Sequence, residues 1–275
     1  MLLQRILTAI PLALAVIWLI LTQPTSALTY VLLLLALVCG FEWARLSGVT
    51  ARVWQFAFAL LVSVFSWFCI EYLSQYIYFL LLLATGWWFA VLLFLKSAQP
   101  QLKALVLSPQ KLLVSLLVVP STIVAMYMIH SMDRGAEWLL YSLMLVWIAD
   151  SGAYFSGKKL GKTKLAPNIS PGKTREGLFG ALLAVGVYAL LAAYYFDLPV
   201  RQLLMLLGLS LMLTIISVVG DLYESFLKRE AGVKDSGNIL PGHGGILDRV
   251  DSVLAVMPVF VVMFDWLIEP VKGLH

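Results

Sequence analysis

Three aspartates in the last quarter of the chain, Asp221, Asp248 and Asp251, stand at the edges of long apolar runs beside Lys228, Arg229, Lys234 and Arg249. The stretch GHGGILDRVD, residues 242–251, places three charges, a histidine and three glycines within a chain that is only 12% charged. Carboxylates that converge among lysines and arginines suit a hard cation. Mg²⁺ is commonly held by one or two carboxylates and completes its shell with water and substrate phosphate. The surrounding cations suit the phosphate itself. The expected metal pair is Asp221 and Asp248. For Asp248 and Asp251 the competing reading is structural: both stand at the head of the following run, where an acid offsets the helix dipole.

The neighbours extend this chemistry. If a helix continues through LYESFLKR, then Asp221, Ser225 and Lys228 share one face, and Glu224 can pair with Lys228. Gly244 and Gly245, after Pro241, Gly242 and His243, can adopt turn conformations closed to residues with a Cβ. Their successive N–H groups could form an anion nest at a helix N-terminus, and an ordinary turn is the simpler alternative. His243 could donate to phosphate or carry a proton, or it could brace the loop.

A second polar stretch, ADSGAYFSGKKLGKTKLAPNISPGKTREG, occupies residues 149–177. Asp150 lies roughly 9 Å inside the preceding run at 1.5 Å per residue. An acid at membrane depth costs about 2.5 kcal/mol or more unless compensated. Ser151, Gly152 and Ala153 are small enough to admit another backbone. Lys173 and Arg175 are candidate phosphate ligands. SPGKT is not a P-loop, because Pro167 stands where that motif needs glycine and no strand is expected before it. Glu42, in FEWARL, is expected to pair with Arg45 at i, i+3.

Membrane helices must position these groups. The 275 residues are 61% hydrophobic with a mean hydropathy of +0.94, whereas a soluble domain is about half apolar and about a quarter charged. The chain reads as an all-α, polytopic integral membrane protein with one catalytic domain, residues 1–275. Its active loops are expected at about 156–177 and 221–251. Nine apolar runs are long enough for a hydrocarbon core of about 30 Å. They cover approximately residues 6–21, 28–46, 54–70, 76–95, 112–130, 138–155, 178–196, 203–220 and 251–268. The first is long for a cleaved leader and is expected to be retained. The third and fourth need a tight turn at EYLSQ.

With nine spans, 16 of the 19 Lys and Arg residues fall on one side. Arg134, Arg201 and Lys272 are on the other. The positive-inside bias then places the N-terminus and both polar loops in the cytoplasm. The pI near 9.0 thus reflects a belt facing anionic headgroups. It is not a nucleic-acid surface, since no basic soluble domain is present. Cys39 and Cys69 fall in apolar runs toward opposite faces, which excludes a disulfide between them. Trp87, Trp88 and Trp266 read as packing or interface residues.

SFLKREAGVKDSGNILPGHGGILDRVD, residues 225–251, resembles the signature of the bacterial phosphatidate cytidylyltransferases (CDP-diglyceride synthases). That signature runs Ser-x-apolar-Lys-Arg, four residues, Lys-Asp-x-small, then His-Gly-Gly-x-x-Asp-Arg-x-Asp. The 149–177 stretch is similar to a second recurring segment of the family, with Asp150-Ser151 where many members have Asp-Thr. The N-terminal half is similar in span pattern and in FEW. The resemblance implies that CTP and phosphatidate give CDP-diacylglycerol and pyrophosphate with Mg²⁺, and leaves open a second, monovalent cation. It also implies a homodimer among the lipids of a bacterial inner membrane.

Residue types and resemblance together assign catalysis to Asp221, Asp248, Lys228, Arg229, His243 and Arg249, with the metal on Asp221 and Asp248. Lys173, Arg175, Lys234, Asp235, Gly244, Gly245, Asp150 and Asp251 are assigned to substrate binding. Three other activities make distinct demands on the sequence. A CTP-using polyprenol or phytol kinase would release CDP. A CDP-alcohol phosphotransferase needs a DGxxAR context that is absent. A transporter would place its acids near the midplane of repeated helices.

Overall fold

A computed structural model describes residues 2–101, 107–239 and 244–268, with side chains from residue 10 onward. Among the described residues nine α-helices follow one another: α1 (Leu2–Thr22), α2 (Thr25–Leu46), α3 (Arg52–Tyr72), α4 (Ile77–Phe94), α5 (Pro109–Ser131), α6 (Gly135–Leu160), α7 (Arg175–Tyr195), α8 (Val200–Glu230) and α9 (Leu247–Leu267). Each coincides with one of the expected runs to within a few residues at either end, except that α8 continues to Glu230. Eight are long and apolar enough to cross a membrane, and the described apolar part of α1 is the shorter segment Ile10–Thr22. The chain is an all-α, multi-pass membrane protein. The tight turn after α3 is a single 3-10 turn, Ser74–Tyr76. Cys39 and Cys69 are free and buried.

The sequence reading missed one element. Residues 161–174 are not a plain loop: β1 (Lys164–Ala166) and β2 (Ser170–Thr174) form an antiparallel hairpin, with Lys164 opposite Thr174 and Ala166 opposite Ser170. The segment has too few apolar residues to show period-two alternation, so a pattern search passes over it. Thr174 ends β2 and caps α7, its Oγ1 accepting from Gly177 N at 3.1 Å. Glu176 closes the other side by accepting from the backbone N–H groups of Lys162 and Thr163 at 3.1 Å each. The P-loop exclusion stands on Pro167 alone, since SPGKT is itself a strand.

Consecutive helices run antiparallel, so both polar segments lie at one end of the bundle. Contacts between loops confirm the shared end. Ser108 N donates to Ser47 O at 2.9 Å, and Lys111 pairs with Glu230 at 3.1 Å. At the other end His130 touches Thr25 Oγ1 through Nδ1 and Ile20 O through Nε2, both at 2.9 Å. There the Arg134 guanidinium also lies 4.5 Å from the Phe196 ring centroid.

Small residues allow the close approaches that a lipid-embedded bundle relies on. A Cβ on Gly152 of α6 would stand 3.0 Å from Gly180 O and 3.2 Å from Ala181 Cα of α7. This is the close packing expected of the Ser151–Ala153 stretch. A Cβ on Gly220 of α8 would stand 2.6 Å from the Asp251 carbonyl oxygen and 3.1 Å from Ser252 Cα of α9. Gly220 therefore brings the next residue, Asp221, against the start of α9. Below it, Trp43, Trp87 and Trp88 surround Tyr223 with ring centroids 6.4, 6.0 and 5.9 Å away. These tryptophans are packing residues.

Gly220→Ala is expected to cost about 1–3 kcal/mol, the range for forced overpacking, and to lower the Tm in detergent. Gly208→Ala, on the same helix with nothing within 4 Å, should leave the Tm unchanged or raise it. Thermal unfolding of the two variants checks the α8–α9 contact.

Candidate functional site

The site forms where the ends of α6, α8 and α9 meet β2. Asp150 comes from α6, Asp221 from α8, Asp251 from α9 and Lys173 from β2. Lys173 Nζ pairs with Asp221 Oδ2 at 2.6 Å, and Ser225 Oγ donates to Asp221 Oδ1 at 3.3 Å. Asp150, Asp221 and Asp251 are close enough to repel one another, and the positive field of Lys173 reaches Asp150 and Asp251 as well as its direct partner. Arg249 acts on Asp150 in the same way. One lysine thus stands among three carboxylates carried by three helices.

A second cluster lies deeper. Lys228, 9% exposed, pairs with Glu224, which is 3% exposed. The same ammonium donates to Asp248 Oδ1 at 2.6 Å. Asp248 Oδ2 accepts three further hydrogen bonds: from Gly245 N at 2.8 Å, Ser236 N at 2.9 Å and Ser236 Oγ at 3.0 Å. Asp248 is thus tied to Lys228 and to the 231–246 connection. The carboxylates that act directly on Asp221 are Asp150 and Asp251. The helical register explains this. Asp251 lies three residues further into α9 than Asp248, at the depth where Gly220 brings α8 close.

The glycines serve a local purpose. Gly244 has φ +85°, and a Cβ there would meet Asp248 Oδ2 at 2.7 Å. A Cβ on Gly245 would collide with Ser236 Oγ and with the Glu42 carboxylate. The Gly245 N–H does face an anion, as a nest would, and that anion is the protein's own Asp248. His243 lies outside the described residues.

Glu42 differs from expectation. Its carboxylate, 1% exposed, does not join Arg45. It accepts from Ser236 Oγ and Leu247 N at 2.8 Å each and from Ile246 N at 3.2 Å. Burial decides the matter: α2 turns Glu42 into the bundle, and the unpaired amides at the start of α9 are the donors within reach. A buried acid inside an apolar run was the available signal. Its partners, some 200 residues away, could not be read from local spacing. The same distance along the chain separates Ser236 from Glu42, and local spacing gives no sign of that contact.

The remaining candidates lie around these clusters. Arg229 Nε donates to Ile169 O at 3.3 Å and so ties the hairpin tip to α8. Arg175, Lys234, Asp235 and Arg249 are exposed. Asp235 sits beside Gly244, where a glycine Cβ would lie 3.3 Å from the Asp235 Cβ. Among the described residues no group of three or more His, Cys, Asp or Glu side chains is arranged to hold a metal ion.

The family profile described as the cytidylyltransferase family matches residues 3–267. The chain is 38% identical to a phosphatidate cytidylyltransferase of Haemophilus influenzae, over 94% of this chain and 97% of that protein. It is 36% identical to the Pseudomonas aeruginosa protein of the same name, over 96% and 97%. Similarity to the Bacillus subtilis phosphatidate cytidylyltransferase reaches 50% identity over 131 residues, 47% of this chain and 48% of that one.

Lys228→Met should strand Glu224 and Asp248 without their shared cation and cost about 3–5 kcal/mol, the range for breaking a buried pair from one side. Adding Glu224→Gln should recover part of that loss. Detergent-solubilised thermal unfolding of the single and double variants checks both statements.

Proposed function

The chain belongs to the cytidylyltransferase family, and on that premise we propose that it makes CDP-diacylglycerol and pyrophosphate from CTP and phosphatidate, a step of phospholipid biosynthesis. The observation that carries this reading is the Lys173-centred carboxylate cluster of Asp150, Asp221 and Asp251 at one end of a membrane bundle. A lipid phosphate can reach such a place from the bilayer while a nucleotide reaches it from water.

The chemistry needs no enzyme nucleophile. A phosphatidate oxygen forms a bond to the α-phosphorus of CTP. The bond between that phosphorus and the α–β bridging oxygen breaks, and its electrons leave with pyrophosphate. The protein's task is to position two anions and offset their repulsion. Lys173 can exchange its carboxylate partner for a phosphate oxygen, and Arg175, Lys234 and Arg249 supply further positive charge. Lys228 is committed to Glu224 and Asp248, and Arg229 to the hairpin. Their roles are to hold the site in shape.

The donor set fits Mg²⁺. Asp221 and Asp251 would hold it with Asp150 nearby, in place of the Asp221–Asp248 pair expected from spacing, because Asp248 Oδ2 is already fully hydrogen-bonded. Fewer than three protein ligands accords with an ion that keeps its waters and binds phosphate. When bound, Mg²⁺ neutralises charge on the triphosphate. The same proposal places the protein as a homodimer in a bacterial inner membrane with the site on the cytoplasmic face. That orientation is supported by the one-sided distribution of Lys and Arg.

Purified protein given labelled CTP, phosphatidate and Mg²⁺ is expected to move label into the lipid phase as a CDP-lipid. Release of CDP without a CDP-lipid would instead indicate a lipid kinase, and uptake without chemistry a transporter. Asp221→Asn and Asp251→Asn are each expected to lower kcat by about 100-fold or more while membrane insertion and Tm persist. Chelating divalent ions should stop the transfer, and Mg²⁺ should restore it.

A further inference from the structure

Helix α9 begins without a cap of its own. Its N-cap residue, Ile246, makes no side-chain capping bond. The amides of Ile246 and Leu247 instead donate to Glu42 of α2, at 3.2 and 2.8 Å. The same carboxylate accepts from Ser236 Oγ at 2.8 Å, and it fills the space that a Cβ on Gly237 or Gly245 would occupy. One buried anion from the N-terminal half thus gathers Ser236 and Ile246 of the connection and Leu247, the first residue of α9. Its charge is also well placed against the positive end of the α9 dipole.

The contacts continue into the site. The Ser236 hydroxyl lies 2.8 Å from Glu42 Oε2 and 3.0 Å from Asp248 Oδ2. Asp248 Oδ1 holds Lys228 Nζ at 2.6 Å, and Lys228 pairs with Glu224. The hydroxyl has one proton for two carboxylates, so moving either acid shifts the other. Other contacts also join the N-terminal half to α8 and α9: Lys111 pairs with Glu230 at 3.1 Å, and Thr122 Oγ1 donates to Leu254 O at 3.1 Å.

We propose that Glu42 is a positioning residue for the transfer reaction: through Ser236 and the first amides of α9 it sets where Asp248 and Lys228 stand. Glu42 itself touches neither substrate. The proposal rests on the transferase reading for its kinetic consequence and on the hydrogen bonds alone for its structural one.

Glu42→Gln keeps the shape and removes the charge. It is expected to lower kcat by about 10- to 100-fold, the scale of a displacement of about 1 Å at a site, with KM for CTP changed less than about threefold and Tm nearly retained. Backbone amide exchange in a peptide covering Ile246 and Leu247 should accelerate. Ser236→Ala should do the same, and Glu42→Gln/Ser236→Ala should be no worse than the poorer single variant, because both break one chain of contacts. Wild-type kcat and unchanged exchange in Glu42→Gln would overturn the proposal, as would strictly additive losses in the double variant. If the unaltered protein forms no CDP-lipid, the transferase reading fails. The exchange measurement then still decides for or against the Glu42 connection.

Discussion

Compensation of buried carboxylates is the constraint on which the rest of this structure depends. Five acids, Glu42, Asp221, Glu224, Asp248 and Asp251, stand at or near the boundary of apolar helices, where an unpaired charge is costly. Lys173 serves Asp221, Lys228 serves both Glu224 and Asp248, and backbone amides serve Glu42, the second oxygen of Asp248 and, from Ser252 at 2.7 Å, Asp251. The β hairpin carries Lys173, and Ser236, Gly245, Ile246 and Leu247 supply the amides. Secondary structure at this end of the bundle follows from where cations and N–H groups are required.

Close packing makes the compensation possible. Gly220 lets α8 and α9 touch at the level of Asp221 and Asp251, and Gly152 and Gly180 let α6 and α7 do so beneath the hairpin. With larger residues the carboxylates would stand in separate pockets, and one lysine could not serve several of them. The same economy shapes the turn before α9. Gly237, Gly244 and Gly245 leave space that the Glu42 and Asp248 carboxylates occupy. Their lack of a Cβ serves the protein's own anions, where a phosphate nest was the expectation.

For a transferase that joins a lipid phosphate to a nucleotide, two tiers of charge are useful. The inner tier, Glu224, Lys228, Asp248 and Glu42, is joined by the Lys228 ion pairs and by the Ser236 hydroxyl. The outer tier sets three carboxylates, Asp150, Asp221 and Asp251, around one lysine, Lys173.

Much of this was legible in the residues. Nine apolar runs, a one-sided belt of Lys and Arg, and the 225–251 signature determined the helix bundle, its polar end and its family, because hydrophobic length and charge bias act locally along the chain. The extension of α8 through Glu230 and the Glu224–Lys228 pair also followed from helical spacing. The partner of each acid did not. Asp221 and Asp251 come within each other's field because Gly220 draws α8 against α9, Asp248 is held by Lys228 and the amides of Ser236 and Gly245, and Glu42 leaves Arg45 for the start of α9 because α2 turns it inward. The hairpin's ends are held by Glu176 and Thr174 and its tip by Arg229, while its own sequence has little strand pattern. Those outcomes depend on which helices lie side by side. Sequence spacing places charges along one helix, but the pairing of charges across a bundle is decided by packing.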